Sequence, residues 1–237
     1  MKIHGPSIGI GAAIAGITVF AIFMIAGSGF GNSADTATLD KARYNQNNDN
    51  VKFQTSLLSD HTSPILGSKD APITMVEFGD YQCFYCNQFY HTTEPDIVKN
   101  YVNTGKVKLV FKDLTIIGQD SINAAHAAHC AQEKGKFWEY HDTLYNNWTG
   151  ENTGWASSKN LLAFATKLNI TASDFNACMS DARYISTVQG SVSDAHALGL
   201  TGTPDFFIIG PDNSVNKIVG AQPYTAFDEI FKSKLKT

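Results

Sequence analysis

The sequence predicts an α/β domain in which a βαβ unit and a ββα unit form one mixed central sheet, flanked by helices, with a helical insertion between the two units. Three observations support this fold class. An apolar, β-favouring run, Ile73 to Phe78, leads directly into a helix start, and a second strand pattern follows that helix at 106–111. The stretch at about 119–198 has helical periodicity throughout. Two short strand patterns and a last helix then close the chain.

The N-terminal segment predicts export. No charged residue occurs from Gly5 to Ala34, and the apolar run there is long enough to cross a bilayer as a helix. It exceeds the apolar core of about 7 to 15 residues that is usual in signal peptides, so we expect residues 1–30 to form an uncleaved transmembrane anchor. A cleaved signal peptide is the alternative. Lys2 favours a cytoplasmic N-terminus, which makes this a single-pass protein of the cell membrane with an extracytoplasmic domain.

The residues that follow the anchor are polar. Residues 31–63 are rich in Asn, Asp, Thr and Gln, as in a flexible tether, and we interpret them as a polar linker. The folded domain is then expected at 64–237, enough chain for one domain with a sizeable core.

The charge balance excludes one class of partner. The chain has 18 Lys and Arg against 22 Asp and Glu, and it contains no basic run. We therefore expect no nucleic-acid partner.

Two cysteines stand where the first strand meets its helix. At a helix N-terminus the unpaired backbone N–H groups favour negative charge, so Cys83 is expected to ionise more easily than an ordinary thiol. Only a thiolate attacks a disulfide. Cys86 lies one turn further on, close enough to pair with Cys83 and to release a mixed disulfide.

Zinc sites use the same two-residue spacing between cysteines, but they normally need four ligands. The remaining cysteines, Cys130 and Cys178, are isolated in sequence, and His126 and His129 have no third ligand at a suitable spacing. We therefore expect no metal site and no cofactor.

An acidic residue precedes the cysteines on the incoming strand. Glu77 lies six residues before Cys83, where its side chain would point into the apolar floor beneath the pair. Burial there would raise its pKa and let it exchange a proton with Cys86. The alternative is an outward-facing strand residue.

The remaining elements follow in order. The helix after the cysteines is expected to continue to about residue 103 with a kink at Pro95, and Ser173 is a candidate N-cap within the insertion. The other predicted helices lie at about 121–135, 137–145, 159–168, 182–198 and 224–236, and the last two strands at 206–209 and 215–219.

Two separate motifs carry a family resemblance. The run Leu66 to Phe89, LGSKDAPITMVEFGDYQCFYCNQF, resembles the active-site segment of DsbA-like thiol:disulfide oxidoreductases of the thioredoxin superfamily. The run Gly202 to Phe207, GTPDFF, is similar to the cis-proline loop and following strand of that family. The resemblance implies a thioredoxin fold whose helical insertion separates the βαβ and ββα halves.

Carried over by position, the resemblance makes Cys83 the nucleophile, Cys86 the resolving cysteine and Glu77 the buried acid. Thr203 would face the sulfurs, and Pro204 would be the cis-proline. A cis bond is energetically accessible only before proline, while a trans proline at a strand start is the alternative.

The second cysteine pair fits an exported domain. Four cysteines outside the cytoplasm are most simply two pairs, so Cys130 and Cys178 are expected to form a structural disulfide. The alternative is a second redox pair that exchanges electrons with Cys83 and Cys86.

Phe84 and Tyr85 stand between the catalytic cysteines. They can form an exposed aromatic rim that binds unfolded substrate, or they can simply cover the helix end. Many strongly oxidising relatives carry a histidine at the position of Tyr85, so the motif leaves the oxidising strength open.

These observations predict an extracytoplasmic oxidoreductase that introduces disulfides into unfolded or reduced exported proteins at Cys83 and Cys86. A quinone-linked membrane partner, DsbB-like or VKOR-like, would reoxidise it. One alternative is a disulfide isomerase or reductase of the same fold. Another is a redox-inactive chaperone or peptide-binding module in which the pair is a permanent disulfide.

Overall fold

A four-stranded mixed sheet forms the centre of the computed structural model, which describes residues 55–236. Its strand order is β2-β1-β3-β4, with β1 at Ile73–Gly79, β2 at Val107–Asp113, β3 at Asp205–Ile209 and β4 at Val215–Val219. β1 pairs in parallel with β2 and antiparallel with β3, and β3 pairs antiparallel with β4. This sheet and its flanking helices confirm the predicted fold class.

The helices on either side of the sheet follow the predicted order. Five of those described lie between β2 and β3 and make up the insertion. The bounds are α1 Phe84–Thr92, α2 Glu94–Ile97, α3 Gln119–Gln132, α4 Phe137–Asn146, α5 Ser158–Lys167, α6 Ala172–Ser180, α7 Ile185–Ala197 and α8 Tyr224–Lys234.

The helix that follows the cysteines is interrupted rather than only kinked. α1 ends before Thr93, α2 begins at once with Pro95 in its first turn, and Val98–Val102 continues as a π-helical turn. Proline has no N–H to donate and its ring clashes with the preceding turn, which explains the break. The N–H of Ile97 still bonds to the carbonyl of Thr93, so the chain keeps its helical direction.

β1 is buried on both faces of the sheet. Ile73 and Met75 pack in the cluster that contains Phe206 and Phe227, and Val76 and Phe78 pack in another with Phe207 and Leu200. A strand that is paired on both sides and packed on both faces has an almost continuous apolar sequence. Glu77 is the one charged residue of this strand.

The folded region begins before residue 64. Residues 55–59 are helical, and Leu57 and Leu58 in the predicted linker are only 7% and 6% exposed. The N–H of Ser63 bonds to the carbonyl of Phe111, and the Ser63 hydroxyl accepts from the N–H of Phe111. These contacts fix the end of the predicted linker against β2, an arrangement that polar composition alone does not reveal.

The predicted anchor at 1–30 and the linker up to residue 54 lie outside the described residues. Within residues 55–236, no helix combines the length and the apolar character that crossing a bilayer requires.

The insertion is crosslinked internally. Cys130 on α3 and Cys178 on α6 form a disulfide, and both residues are buried. The disulfide thus holds together α3 and α6, whose faces meet in the core of the insertion.

α6 is capped by Thr171 and not by the predicted Ser173, because the Thr171 hydroxyl accepts from the N–H of Asp174.

Removing this crosslink is expected to destabilise the domain. The disulfide closes a loop with a sequence separation of 48. For a loop of that length the chain-entropy model gives about 4 kcal/mol of stabilisation. The double variant Cys130→Ala/Cys178→Ala should therefore unfold at a clearly lower urea concentration, measured by far-UV circular dichroism. An unchanged unfolding midpoint would contradict the structural role of the crosslink.

Candidate active site

Cys83 occupies the N-cap of α1. Its backbone is extended, with φ −66° and ψ 127°, and its carbonyl accepts the N–H of Asn87 at 3.0 Å. The turn that leads to it is fixed by Asp80, whose carboxylate accepts the N–H groups of Gln82, Ile116 and Ile117. The start of α1 is therefore tied to the loop that precedes the insertion.

The environment of Cys83 favours its thiolate. The pKa of Cys83 is lowered to about 6, first by a hydrogen bond from the Cys86 thiol and then by Thr203 and by backbone N–H groups of the first helical turn. Burial opposes this shift but does not cancel it. The thiol is therefore mostly ionised at neutral pH, and it is 7% exposed.

Cys86 is in the opposite situation. It is fully buried, and its pKa is raised by burial first and then by the negative charge of Cys83. At neutral pH the pair consists of one thiolate and one buried thiol. A thiolate at the protein edge can attack or leave, whereas the buried thiol must first lose its proton.

Glu77 points inward, beneath the cysteine pair. It is 1% exposed on β1, opposite Phe111 on one side and Phe206 on the other. Burial, and then the charge of Cys83, raises the pKa of Glu77 to about 8. Its Oε2 has no hydrogen-bond partner among the described residues. The charge of an ionised Glu77 would raise the pKa of Cys86, so the two groups interact. A carboxyl that is protonated at neutral pH can give and accept the proton of such a thiol.

The proline loop lies directly against Cys83. The Thr203–Pro204 peptide bond is cis, and the Cys83 sulfur lies 3.4 Å from the Thr203 carbonyl, which can accept a hydrogen bond from the protonated form of the thiol. The register of β1 with β3, which places Phe78 opposite Asp205, brings the two motifs together across 120 residues of sequence. A surface groove of about 220 Å³ runs from this loop to Lys217 and Val219 of β4.

The aromatic pair between the cysteines is exposed. Phe84 and Tyr85 are 52% and 58% exposed, and their ring centroids are 5.3 Å apart. Trp148, from the loop after α4, lies 6.0 Å from the Phe84 ring. Three aromatic rings, from α1 and from the loop after α4, thus lie next to one another beside Cys83.

Gln82 is a site residue that the sequence analysis missed. Its buried amide donates to Ser121 on α3 at 3.1 Å and accepts the N–H of Asn152 at 2.7 Å. The indole N–H of Trp148 donates to its carbonyl at 2.8 Å. Gln82 therefore joins the insertion to the residue before Cys83. No local signal identifies this role, because all three partners are distant in sequence.

Glu94 is a second buried acid near the site. It is 5% exposed, its Oε2 has no partner among the described residues, and it lines a cavity of about 400 Å³ together with Tyr90 and Asp142. Burial, followed by the charges of Glu77 and Asp142, raises its pKa well above the ordinary range. No sequence pattern around Glu94 indicates this burial.

The two histidines of α3 have separate surroundings. His129 bonds through Nε2 to Asp113 at 2.7 Å, and although burial opposes protonation, Asp113 raises the pKa of His129. His126 lies close to the sulfurs of Cys130 and Cys178. Those sulfurs are bonded to each other and so offer no thiolate ligands.

The pKa of Glu77 predicts a pH dependence of stability. Its pKa of about 8 in the folded state lies above the ordinary 4.5. The protonated carboxyl therefore adds fully to the free energy of unfolding below pH 4.5, and this stabilisation is lost as the pH rises to about 8. In Glu77→Gln the free energy of unfolding should not show this decrease, which is at most roughly 1.4 kcal/mol per pH unit.

The measurement is the urea unfolding free energy between pH 4.5 and 8.5, with Cys83 and Cys86 oxidised so that neither thiol titrates. In that state burial, the larger of the two causes, still raises the pKa of Glu77, while the charge of Cys83 no longer does. Glu139→Gln, on the exposed surface of α4, is the matched control and should follow the unmodified protein. Parallel curves for all three proteins would show that Glu77 does not carry the raised pKa.

Comparison with known proteins places this site in a family. The thioredoxin family model matches residues 59–227. The chain is 28% identical to the probable disulfide bond formation protein D of Bacillus cereus over 167 residues, which is 69% of this chain and 77% of that protein. It is also 30% identical over 148 residues to the Na(+)/H(+) antiporter NhaA 1 of Salinispora arenicola; the match covers 62% of this chain but only 21% of the antiporter's length.

Among solved structures, the crystal structure of oxidised BdbD from Bacillus subtilis superposes with a TM-score of 0.67 at 26% identity, covering 73% of this chain and 93% of that one. The family match includes Cys83, Cys86 and Pro204. The chain therefore belongs to the thioredoxin family and resembles its DsbA-like disulfide oxidoreductases.

Proposed function

We propose that this DsbA-like disulfide oxidoreductase works outside the cytoplasm, where it introduces disulfide bonds into unfolded or reduced exported proteins. The observation that carries the proposal is the unequal pair at the start of α1, with Cys83 acidic and Cys86 buried with a raised pKa. A thiol of low pKa leaves a mixed disulfide readily and stabilises the reduced enzyme. Both properties favour transfer of the disulfide to a substrate.

In the first step, a substrate thiolate attacks the sulfur of Cys83 in the oxidised pair. The bond between Cys83 and Cys86 breaks, and a mixed disulfide between the substrate and Cys83 forms. Cys86 leaves as a thiolate in a buried site that disfavours charge. Glu77, protonated at neutral pH and buried beneath the pair, supplies the proton to Cys86.

In the second step, another substrate thiolate attacks the substrate sulfur of the mixed disulfide. The substrate leaves with a new disulfide, and Cys83 leaves as a thiolate stabilised by the helix N-terminus and the Cys86 thiol. Two electrons have passed from substrate to enzyme. A membrane partner must remove them, and we assign this to a quinone-linked protein of DsbB-like or VKOR-like type.

Substrate binding is assigned to the surface around Cys83. The groove beside Thr203 and Pro204 can hold an extended peptide next to the sulfur, and Phe84 and Tyr85 can bind its apolar side chains. None of these contacts requires a particular sequence. The surface therefore suits substrates that share only an unfolded state and a free thiol.

The location of the enzyme forms part of the proposal. The disulfide between Cys130 and Cys178 supports an oxidising compartment. We retain residues 1–30 as a membrane anchor and the polar residues after them as a tether, shortened from the predicted 31–63 because residues 55–59 are already helical. The remainder is the catalytic domain.

The catalytic roles can be tested with a reduced, denatured ribonuclease as substrate. The oxidised protein should restore ribonuclease activity, and Cys83→Ser should abolish this because the attacked sulfur is gone. With scrambled, disulfide-containing ribonuclease instead, Cys83 of Cys86→Ser should attack a ribonuclease disulfide, release one ribonuclease thiolate and remain in a mixed disulfide that Cys86 can no longer resolve, visible by mass under non-reducing conditions. Full activity of Cys83→Ser would refute the assignment of the nucleophile.

The direction of electron flow depends on the reduction potential of Cys83 and Cys86 against glutathione. We expect a value above about −200 mV, in the range of disulfide donors. A value near or below about −270 mV would instead favour the reductase. A pair that mild dithiol cannot reduce would favour the redox-inactive peptide-binding module.

The anchor is tested by membrane fractionation of the full chain. It should remain with the membrane after alkaline carbonate extraction, and a variant without residues 1–34 should be released into the soluble fraction. If the protein expressed from the full-length gene is instead released with a new N-terminus near residue 28 or 34, the segment is a cleaved signal peptide.

A further inference from the structure

A carboxylate from the insertion lies on the N-terminus of the active-site helix. The N–H of Phe84, the first residue of α1, donates to Oε1 of Glu151 at 3.1 Å. This N–H belongs to the residue next to Cys83. It is one of the unpaired donors that would otherwise favour negative charge on the Cys83 sulfur.

Two hydrogen bonds on either side of Glu151 hold it in this place. Trp148 donates its indole N–H to the carbonyl of Gln82, and the N–H of Asn152 donates to the Gln82 side chain. The Thr149 and Thr153 hydroxyls bond across the same loop at 3.0 Å. The loop between α4 and α5 is therefore fastened to the residue that precedes Cys83, and it contacts α1 through the Trp148 ring and the Glu151 carboxylate.

The other groups around Cys83 act differently on its charge. Cys86 and the N–H groups of the first turn of α1 stabilise the thiolate, and the Thr203 carbonyl lies 3.4 Å from the sulfur. Glu77, from β1, is buried and protonated at neutral pH. The first turn of α1 contains no acidic residue. Within residues 55–236, Glu151 is thus the carboxylate that bonds to this helix end.

We propose that Glu151 is a positioning residue that restrains Cys83: its carboxylate binds the helix N-terminus, disfavours the Cys83 thiolate and so moderates the oxidising strength of the Cys83–Cys86 pair. The inference rests on the proposed function, because it concerns the sulfur that exchanges disulfides. A negative charge near the sulfur disfavours the thiolate, so removal of that charge lowers the pKa of Cys83. A more stable thiolate also shifts the pair toward its reduced form, which makes the disulfide the stronger oxidant.

The test compares the unmodified full chain with Glu151→Gln and with Glu139→Gln as the matched control. Gln retains an acceptor oxygen for the Phe84 N–H, so only the charge is removed. Glu139 is exposed on α4 and paired with Lys136, so the control removes the same charge away from the site. Thiolate absorbance near 240 nm reports the pKa of Cys83, and equilibration with glutathione reports the reduction potential.

We expect the pKa of Cys83 in Glu151→Gln to fall by about 0.2 to 0.7 units, the size of one exposed charge at a helix end. The equilibrium constant for reduction by glutathione should rise about two- to fivefold. The difference in pKa should shrink in 1 M salt, where the Debye length is about 3 Å. Glu139→Gln should match the unmodified protein.

An unchanged or higher pKa in Glu151→Gln would overturn the inference. So would a shift that appears only in Glu151→Ala, because the loop would then act by covering the helix end and not through its charge. These readouts need no protein substrate. The inference can therefore fail while the enzyme still oxidises reduced ribonuclease, and it can hold even if the enzyme proves to be a reductase.

Discussion

The unequal surroundings of two sulfurs, one turn apart at the start of α1, are the constraint on which the rest of the site depends. A helix N-terminus favours charge on its N-cap residue, Cys83, while the first turn of the same helix carries Cys86 into the core. Cys83 is therefore acidic and Cys86 is fully buried, although they have the same chemistry. This asymmetry is the basis for the proposed roles of Cys83 as the attacked sulfur and Cys86 as the resolving sulfur. It also creates the need for a buried acid, because Cys86 cannot easily hold a charge.

The sheet supplies the other half of the site. β1 delivers Cys83 from its end and Glu77 from its interior, and β3 begins directly after Pro204. Because β3 runs antiparallel to β1, the start of β3 lies beside the end of β1, and the Thr203 carbonyl comes within 3.4 Å of the Cys83 sulfur. The helical insertion is long, but it does not disturb this register. Trp148 and Glu151, in the single loop between α4 and α5, bring the insertion to the site, and that loop is bonded to Gln82.

The sequence predicted what depends on local pattern and on recognisable motifs. The strands have apolar β-favouring runs, and the order of the helices follows from their periodicity, so the fold class and the positions of Cys83, Glu77 and Pro204 were accessible. Contacts between distant segments were not. The burial of Leu57 and Leu58 depends on a partner surface that polar composition hides. Gln82 owes its importance to Ser121, Asn152 and Trp148, and nothing in the residue itself indicates those partners.

Buried polar atoms without hydrogen-bond partners lower the stability of the domain around the site. Oε2 of Glu77, Oε2 of Glu94 and the hydroxyl of Tyr145 are buried without hydrogen-bond partners among residues 55–236. An unsatisfied buried polar group generally costs about 1 to 3 kcal/mol, so selection for stability alone would replace such groups with apolar ones. Raised pKa values follow directly from this burial, and they make a carboxyl useful to a buried thiol near neutral pH. The same desolvation that costs stability therefore brings the pKa of Glu77 close to neutral pH, which suits this carboxyl to the proton transfer proposed for it.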